Sequence, residues 1–141
     1  MKKAGKVYIS RKVSFSAAHR MFNPELSDEE NLRLYGKCSN PGGHGHNYVV
    51  EVTVRGIPDE KTGVVINLDD LKVLLDREII DRFDHKDLNS GVDVLEGSVI
   101  SMETLVRVIW GLLDPKITDA ELYEVRIWET DTNCAWYRGG E

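Results

Sequence analysis

The chain has 141 residues, of which 41% are hydrophobic and 30% are charged, a composition that argues against disorder and predicts a single domain over residues 1–141. Its formal net charge of -6 opposes nonspecific binding to nucleic acid or to an anionic membrane surface. The apolar runs are too short for a secretory signal or a membrane span, and two cysteines cannot form a disulfide framework, so we expect a cytoplasmic protein.

A strand is the first predicted element, because apolar and polar residues alternate over residues 6–16. If the alternation continues, His19 lies on the same face as the apolar residues of this strand. A short helix is expected next, since Ser27 and Glu30 form a capping box that can start a helix through Leu34.

A second strand is predicted over residues 46–55. Its apolar positions alternate with mostly polar ones and are Tyr48, Val50, Val52 and Val54. The segment Pro41-Gly42-Gly43 breaks any helix before this strand. His44 and His46 lie on the apolar parity just at its start.

Two helices follow in the prediction. Asn67 caps the first, whose apolar residues recur at steps of three and four as far as Phe83. Ser101 caps the second, which stops before Pro115. Both helices therefore have one apolar side to bury.

Two strands close the chain, over residues 122–129 and about 133–138. The order ββααββ predicts an α+β fold, in which a four-stranded antiparallel sheet carries two helices on one face. Such a sheet has two edges and one uncovered face, which favours self-association, and a closed ring would remove the exposed edges.

Three histidines are the candidate metal ligands. His44 and His46 are two residues apart, so an extended chain points both imidazoles to the same side. If His19 lies on that face of the neighbouring strand, three neutral imidazoles can hold one zinc and leave a fourth position open. A His-x-His pair alone also fits ordinary histidines at a strand entrance, but the third histidine favours a catalytic metal.

Cys38 and the pair Asp84-His85 are candidates for proton transfer. Cys38 lies in a loop rich in Gly and Pro, where a thiolate beside zinc and Lys37 would have a lowered pKa and could act as a general base. The alternative is an inert buried thiol. Asp84 can fix the tautomer of His85, although a histidine at a helix end can also simply interact with the helix dipole.

Two glutamates are candidates for substrate binding. Glu129 closes an apolar strand, and its carboxylate could accept two parallel hydrogen bonds from a guanidine-like edge such as that of a pterin ring. Glu103 could assist, although stabilising the N-terminus of its helix is a simpler role. An anionic substrate would need a local basic pocket, for which Arg20, Lys37 and Lys86 are candidates unless they are ordinary surface residues.

Together these motifs resemble the 6-pyruvoyltetrahydropterin synthases and their 6-carboxytetrahydropterin synthase relatives. The resemblance covers nearly the whole chain. It is carried by Phe15-Ser16-Ala17-Ala18-His19-Arg20, Leu26-Ser27-Asp28-Glu29-Glu30-Asn31, Gly36-Lys37-Cys38, Gly43-His44-Gly45-His46-Asn47-Tyr48, Asp84-His85-Lys86 and Glu129-Thr130-Asp131. It implies the T-fold, assembled as a homohexamer from two trimers with active sites between subunits.

The resemblance also implies a zinc-dependent carbon–oxygen lyase. Its substrate would be 7,8-dihydroneopterin triphosphate, converted to 6-pyruvoyltetrahydropterin and triphosphate, with magnesium as a companion of the triphosphate. The implied residue roles are zinc binding by His19, His44 and His46, proton abstraction by Cys38 with Asp84 and His85 as its partners, and pterin anchoring by Glu129.

Two features of the sequence bear on the exact reaction. Met102 stands where the family usually has a threonine that would contact the pterin. The spacing between Cys38 and His44 resembles the pyruvoyl branch more than the queuosine-pathway relatives. The alternatives are a 6-carboxytetrahydropterin synthase, a noncatalytic module that binds pterin or metal, and a three-histidine zinc hydrolase.

Overall fold

The structure is a computed structural model that describes residues 4–141. Its strands are β1 (Val7–His19), β2 (His44–Gly56), β3 (Lys86–Asp87), β4 (Glu121–Thr130) and β5 (Asn133–Tyr137). Its helices are α1 (Asp28–Tyr35), α2 (Leu68–Leu75), α3 (Asp81–Phe83) and α4 (Met102–Leu113). Ser27 caps α1 as predicted, because its side chain accepts a hydrogen bond from the Glu30 N–H.

The five strands form one sheet in the order β3-β1-β2-β4-β5. The four long strands pair in antiparallel fashion, as the alternating pattern predicts. The predicted count of four is nevertheless wrong, since β3 pairs in parallel with β1. A strand of two residues is too short to show an alternating pattern, and it is held by backbone hydrogen bonds from His85 to Ser16 and from Leu88 to Ala18, 2.6 and 2.8 Å long.

One face of the sheet packs against the helices and forms the core. Tyr48, Val50, Val52 and Val54 of β2 are fully buried there. The helices contribute fully buried residues to the same cluster, among them Leu75, Ile79, Leu105 and Ile109. Each such aliphatic side chain stabilises the fold by about 1.5–3 kcal/mol. The ends of the sheet that carry the candidate site are therefore supported by a well-packed core.

The predicted first long helix is interrupted. A π-helical segment, Asp76–Ile80, separates α2 from α3 and widens the turn. Within this segment Glu78 is buried, and its carboxylate lies 2.7 Å from Lys116 and 3.0 Å from Arg82. The hydrogen bond from Lys116, followed by that from Arg82, holds the pKa of Glu78 below its usual range. The segment therefore contains a buried carboxylate that is neutralised by two basic partners.

No helix in the described part of the chain is both long and apolar enough to cross a bilayer.

Candidate active site around three histidines

The candidate site lies where β1 ends and β2 begins. In the register of these two strands His19 pairs with His44, and Ala17 pairs with His46. Gly43 makes the close entry into β2 possible, because its φ is +71° and a Cβ there would stand 3.1 Å from the His19 carbonyl oxygen. The three predicted metal ligands therefore meet at one end of the sheet.

The three imidazoles form a compact group. One ligand nitrogen from each of His19, His44 and His46 can be chosen so that all lie within 4.8 Å of one another. The ring centroids are 4.7 to 5.1 Å apart. Among the described residues, the Nε2 atoms of His19 and His46 are two of the three buried side-chain atoms without a hydrogen-bond partner. Three imidazoles around a common space fit zinc with one coordination position left for a substrate.

The surroundings of His19 leave one of its ring nitrogens available as a metal ligand. Its Nδ1 lies 2.8 Å from the carbonyl oxygen of Ile100, so Nδ1 carries the proton that this contact requires and Nε2 keeps its lone pair. Burial lowers the pKa of His19 and of His46 below 6.5. Both rings are therefore neutral at physiological pH, as metal ligation requires.

Glu129 lies beside the histidine group. Its two carboxylate oxygens are 3.6 Å from His46 Nε2 and 3.9 Å from His19 Nε2. Trp128 of β4 pairs with Val49 of β2, and Glu129 and Tyr48 are the next residues along these two antiparallel strands. A carboxylate at this place can bind a donor edge of a substrate close to the metal ligands.

Tyr48 is a site residue that sequence reasoning missed. Its ring stacks on Phe15 at 5.0 Å and meets the His46 ring edge-on at 5.5 Å. Its hydroxyl is the third buried side-chain atom without a partner in the described chain, and burial raises its pKa. The alternating pattern marked Tyr48 only as a core residue, although its place two residues after His46 was a signal of proximity to the site.

Asp84 and His85, which follow α3, form a pair that contacts β1 at Ser16. Asp84 accepts a hydrogen bond of 2.9 Å from the Ser16 N–H, and its other oxygen lies 2.9 Å from His85 Nδ1. These contacts, the Ser16 bond first, hold the pKa of Asp84 below its usual range. The backbone of His85 has a φ of +59°, a strained conformation for a residue other than glycine.

The side chain of His85 is 82% exposed and does not join the histidine group. It lines a cavity of about 500 Å³ together with Ser16, Asn47 and Lys86, and the wall of this cavity includes His46. The pair Asp84-His85 therefore lies at the surface of the chain, next to the histidine group but outside it.

The other predicted site residues, Cys38 and Glu103, are not part of the histidine group. Cys38 is half-buried in the 3-10 turn Gly36–Ser39, and its carbonyl oxygen accepts a 2.7 Å hydrogen bond from the Met21 N–H. Glu103 is exposed in the first turn of α4. Within residues 4–141, no hydrogen bond links the side chain of either residue to the histidine group.

The three basic residues that are candidates for anion binding differ in their exposure and contacts. Lys37 is exposed, and Lys86 lines the cavity beside His85. The guanidinium group of Arg20 forms hydrogen bonds within the chain, since its Nη2 and Nε lie 2.6 and 3.1 Å from the carbonyl oxygen of Ser39. Of the three, Lys86 is the one placed to meet an anionic group in this cavity.

Comparison with known proteins identifies the family. A family model described as 6-pyruvoyl tetrahydropterin synthase matches residues 8–140. A 6-pyruvoyl tetrahydrobiopterin synthase of Poecilia reticulata is 49% identical over 132 residues, which cover 94% of this chain and 90% of that protein. A 6-carboxy-5,6,7,8-tetrahydropterin synthase of Haemophilus influenzae is 25% identical over 152 residues, with 92% and 97% covered.

A solved structure agrees with the sequence comparison. The 6-pyruvoyl tetrahydropterin synthase of Caenorhabditis elegans superposes with a TM-score of 0.93 at 37% identity, covering 99% of this chain and 100% of that one. The predicted α+β class and T-fold are thereby confirmed, apart from the additional short strand β3.

Proposed function

The chain belongs to the 6-pyruvoyl tetrahydropterin synthase family, and from this premise we propose that it converts 7,8-dihydroneopterin triphosphate to 6-pyruvoyltetrahydropterin and triphosphate. The reaction is a lyase reaction in which a carbon–oxygen bond breaks and triphosphate leaves. The higher identity to the pyruvoyl relative, 49% against 25% for the carboxy relative, favours the pyruvoyl product.

The observation that carries the proposal is the group of three imidazoles at the end of the sheet. His19, His44 and His46 would hold zinc, because three imidazoles without a thiolate pair leave the open position that catalysis requires. Zinc at this place would supply Lewis-acid chemistry that makes the hydroxyls of the substrate side chain more acidic. A magnesium ion would accompany the triphosphate.

Proton transfer is assigned to Cys38 and His85. Cys38 takes a proton from a carbon of the substrate side chain, and His85 exchanges protons with the substrate while Asp84, 2.9 Å from its Nδ1, keeps its tautomer. The internal redox exchange moves hydrogen from the side chain to the ring of the same molecule. It therefore needs neither nicotinamide nor flavin.

Substrate orientation is assigned to Glu129. Its carboxylate, 20% exposed and 3.6 Å from His46 Nε2, can accept two hydrogen bonds from the guanidine-like edge of the pterin. Glu103 assists from the first turn of α4, at whose start Met102 replaces the usual threonine. Lys86 meets the triphosphate.

The active protein is a homohexamer with sites between subunits. The side chain of His85 is 82% exposed, which supports this arrangement because it leaves the imidazole free to face the histidine group of a neighbouring copy. Both cysteines are free thiols, which agrees with a reducing cytoplasm as the place of action.

The deciding experiment is mass spectrometry of the products that the zinc-loaded protein forms from 7,8-dihydroneopterin triphosphate. We expect triphosphate and the pyruvoyl product. Acetaldehyde with the carboxylated pterin would instead assign the sister activity. An absence of turnover, with pterin still bound, would identify a noncatalytic binding module.

Two variants connect the product to the proposed residues. Cys38→Ala should lower triphosphate release at least about 100-fold, the size of a general-base contribution, while Cys134→Ser serves as the matched control with the other free cysteine. Glu129→Ala should weaken pterin binding. Full activity of Glu129→Ala would favour a zinc hydrolase, which needs no pterin anchor.

A further inference from the structure

We propose that Arg20 is a positioning residue that holds the turn bearing Cys38 in place beside His19, through a clamp formed by Arg20, Ser39 and Asn89. The inference rests on the proposed function, in which Cys38 removes a proton from a substrate held at the histidine group. It assigns Arg20 a role other than binding of an anionic substrate.

The guanidinium group of Arg20 forms the first half of the clamp. Its Nη2 and Nε donate to one acceptor, the carbonyl oxygen of Ser39, at 2.6 and 3.1 Å. The Phe22 ring supports the group from one face at 4.0 Å. The buried Ser39 is itself fixed, because its hydroxyl donates to the Gly36 carbonyl at 2.8 Å. The turn that contains Cys38 is thus held at its last residue.

Met21, the residue after Arg20, adds a second contact to the same turn. The Met21 N–H donates to the carbonyl oxygen of Cys38 at 2.7 Å. Two consecutive residues after His19 therefore hold two consecutive residues of the turn. Because the N–H bonds of a guanidinium have a fixed geometry, this pairing sets both the distance and the orientation of the Cys38 backbone.

Asn89 forms the second half of the clamp by fixing the backbone of Arg20. Its Oδ1 accepts from the Arg20 N–H at 2.7 Å, and its Nδ2 donates to the Arg20 carbonyl at 2.9 Å. Asn89 is in turn held by Asp87, whose carboxylate accepts from the Asn89 N–H at 2.9 Å. The amide thus blocks rotation of the chain directly after His19, whose own ring is bound to Ile100.

A positioning role of Arg20 can be distinguished from phosphate binding by the same side chain. A guanidinium that bound the triphosphate through its Nε and Nη2 edge would have to leave the Ser39 carbonyl and release the turn. Loss of a phosphate contact raises KM, whereas a displaced base lowers kcat with little change in KM. The two roles therefore predict opposite kinetic effects for the same substitution.

The kinetic test uses Arg20→Lys in the zinc-loaded full-length protein. Lysine keeps the positive charge but loses the fork that reaches Ser39. We expect kcat for triphosphate release to fall at least about tenfold, with KM changed less than about twofold and zinc content unchanged. Asn89→Ala should act in the same direction.

Arg33→Lys, at an exposed arginine in α1, is the matched control. A tenfold rise in KM with an unchanged kcat would overturn the proposal.

A second measurement needs no turnover. Hydrogen exchange of the Met21 amide reports directly on its bond to Cys38. We expect this amide to exchange at least about tenfold faster in Arg20→Lys and Asn89→Ala, while the core amide of Val52 keeps its protection. Unchanged exchange at Met21 in both variants would overturn the clamp. If the unmodified protein shows no triphosphate release but its clamp variants show the faster exchange, the proposed function fails and the clamp stands.

Discussion

At the scale of single residues, the site depends on imidazoles that burial keeps neutral. His19 is 2% exposed, and burial lowers its pKa and that of His46. Neutral rings can bind a metal without first losing a proton, so the burial of these two histidines would favour metal binding. The same burial leaves two Nε2 atoms without partners in the described chain, a cost that bound zinc would remove.

Removal of one ligand tests the histidine group. We expect His46→Gln to weaken zinc binding by more than about 100-fold, since even the loss of an outer partner of a ligand costs 10–100-fold. Competition with a chelator of known affinity measures the change. His85→Gln is the matched control, because His85 lies outside the group, and its zinc affinity should remain that of the unmodified protein. Equal effects of the two substitutions would contradict the assignment.

The stability of the metal-free protein should depend on pH in a direction set by the same two rings. Their folded-state pKa values lie below 6.5, so below this pH the unfolded chain binds more protons than the folded one and stability falls with falling pH. We expect the free energy of unfolding to decrease from about pH 6.5 to about pH 5, above the range of the carboxylates. Urea unfolding at each pH measures it. A stability that rises towards pH 5 would be inconsistent with neutral buried histidines.

At the scale of elements, the strand periodicity carried most of what the sequence could predict. Parity alone placed His19 and His46 on the core face of neighbouring strands, because the side-chain period of a strand is two. The cap at Ser101 and the apolar stripe of α4 were likewise local signals. Local patterns of this kind are sufficient to bring the three histidines together, once the two strands pair.

The features that the sequence did not reveal depend on contacts between distant parts of the chain. Strand β3 exists because residues 85–88 hydrogen-bond to β1. The pair Asp84 and Ser16 is separated by 68 positions. The π-helical segment Asp76–Ile80 is stabilised around Glu78 by Lys116, 38 positions away. A pattern that extends over a few neighbouring residues cannot predict contacts between residues so far apart in the sequence.

The link between the Cys38 turn and β2 gives a prediction at this scale. Gly43 has a φ of +71°, and a Cβ there would lie 3.1 Å from the His19 carbonyl oxygen. We expect Gly43→Ala to destabilise the protein by about 1–2 kcal/mol, the cost of a left-handed residue with a side chain, and to weaken zinc binding by moving His44.

Thermal unfolding and a zinc titration measure both effects of Gly43→Ala. Gly42→Ala is the control, since the neighbouring glycine has no positive φ and its Cβ would meet nothing within 4 Å. This control should change stability by no more than about 0.5 kcal/mol. Similar losses in the two variants would show that the left-handed conformation of Gly43 is not what the site requires.

At the scale of the whole molecule, the uncovered face of the sheet points to assembly. Tyr8 and Trp136 on this side are 50% and 52% exposed, and β3 and β5 form the two edges. Exposed strand edges and aromatic side chains favour association into a closed ring. Sedimentation equilibrium should therefore give a mass near 96 kDa, about six times the 16.0 kDa chain. A single species of 16 kDa at micromolar concentration would contradict the hexamer.

Assembly also predicts that two inactive variants can restore activity to each other. If Cys38 acts with the His85 of a neighbouring copy, hexamers formed from equal amounts of Cys38→Ala and His85→Gln contain intact sites, at random about a quarter of the total. The mixture is unfolded and refolded together with zinc, and triphosphate release is measured against each variant alone. Mixing Cys38→Ala with His46→Gln is the control, because these two residues belong to the same chain's half of the site and should restore nothing. Activity that stays at the level of the single variants in the first mixture would place Cys38 and His85 within one subunit.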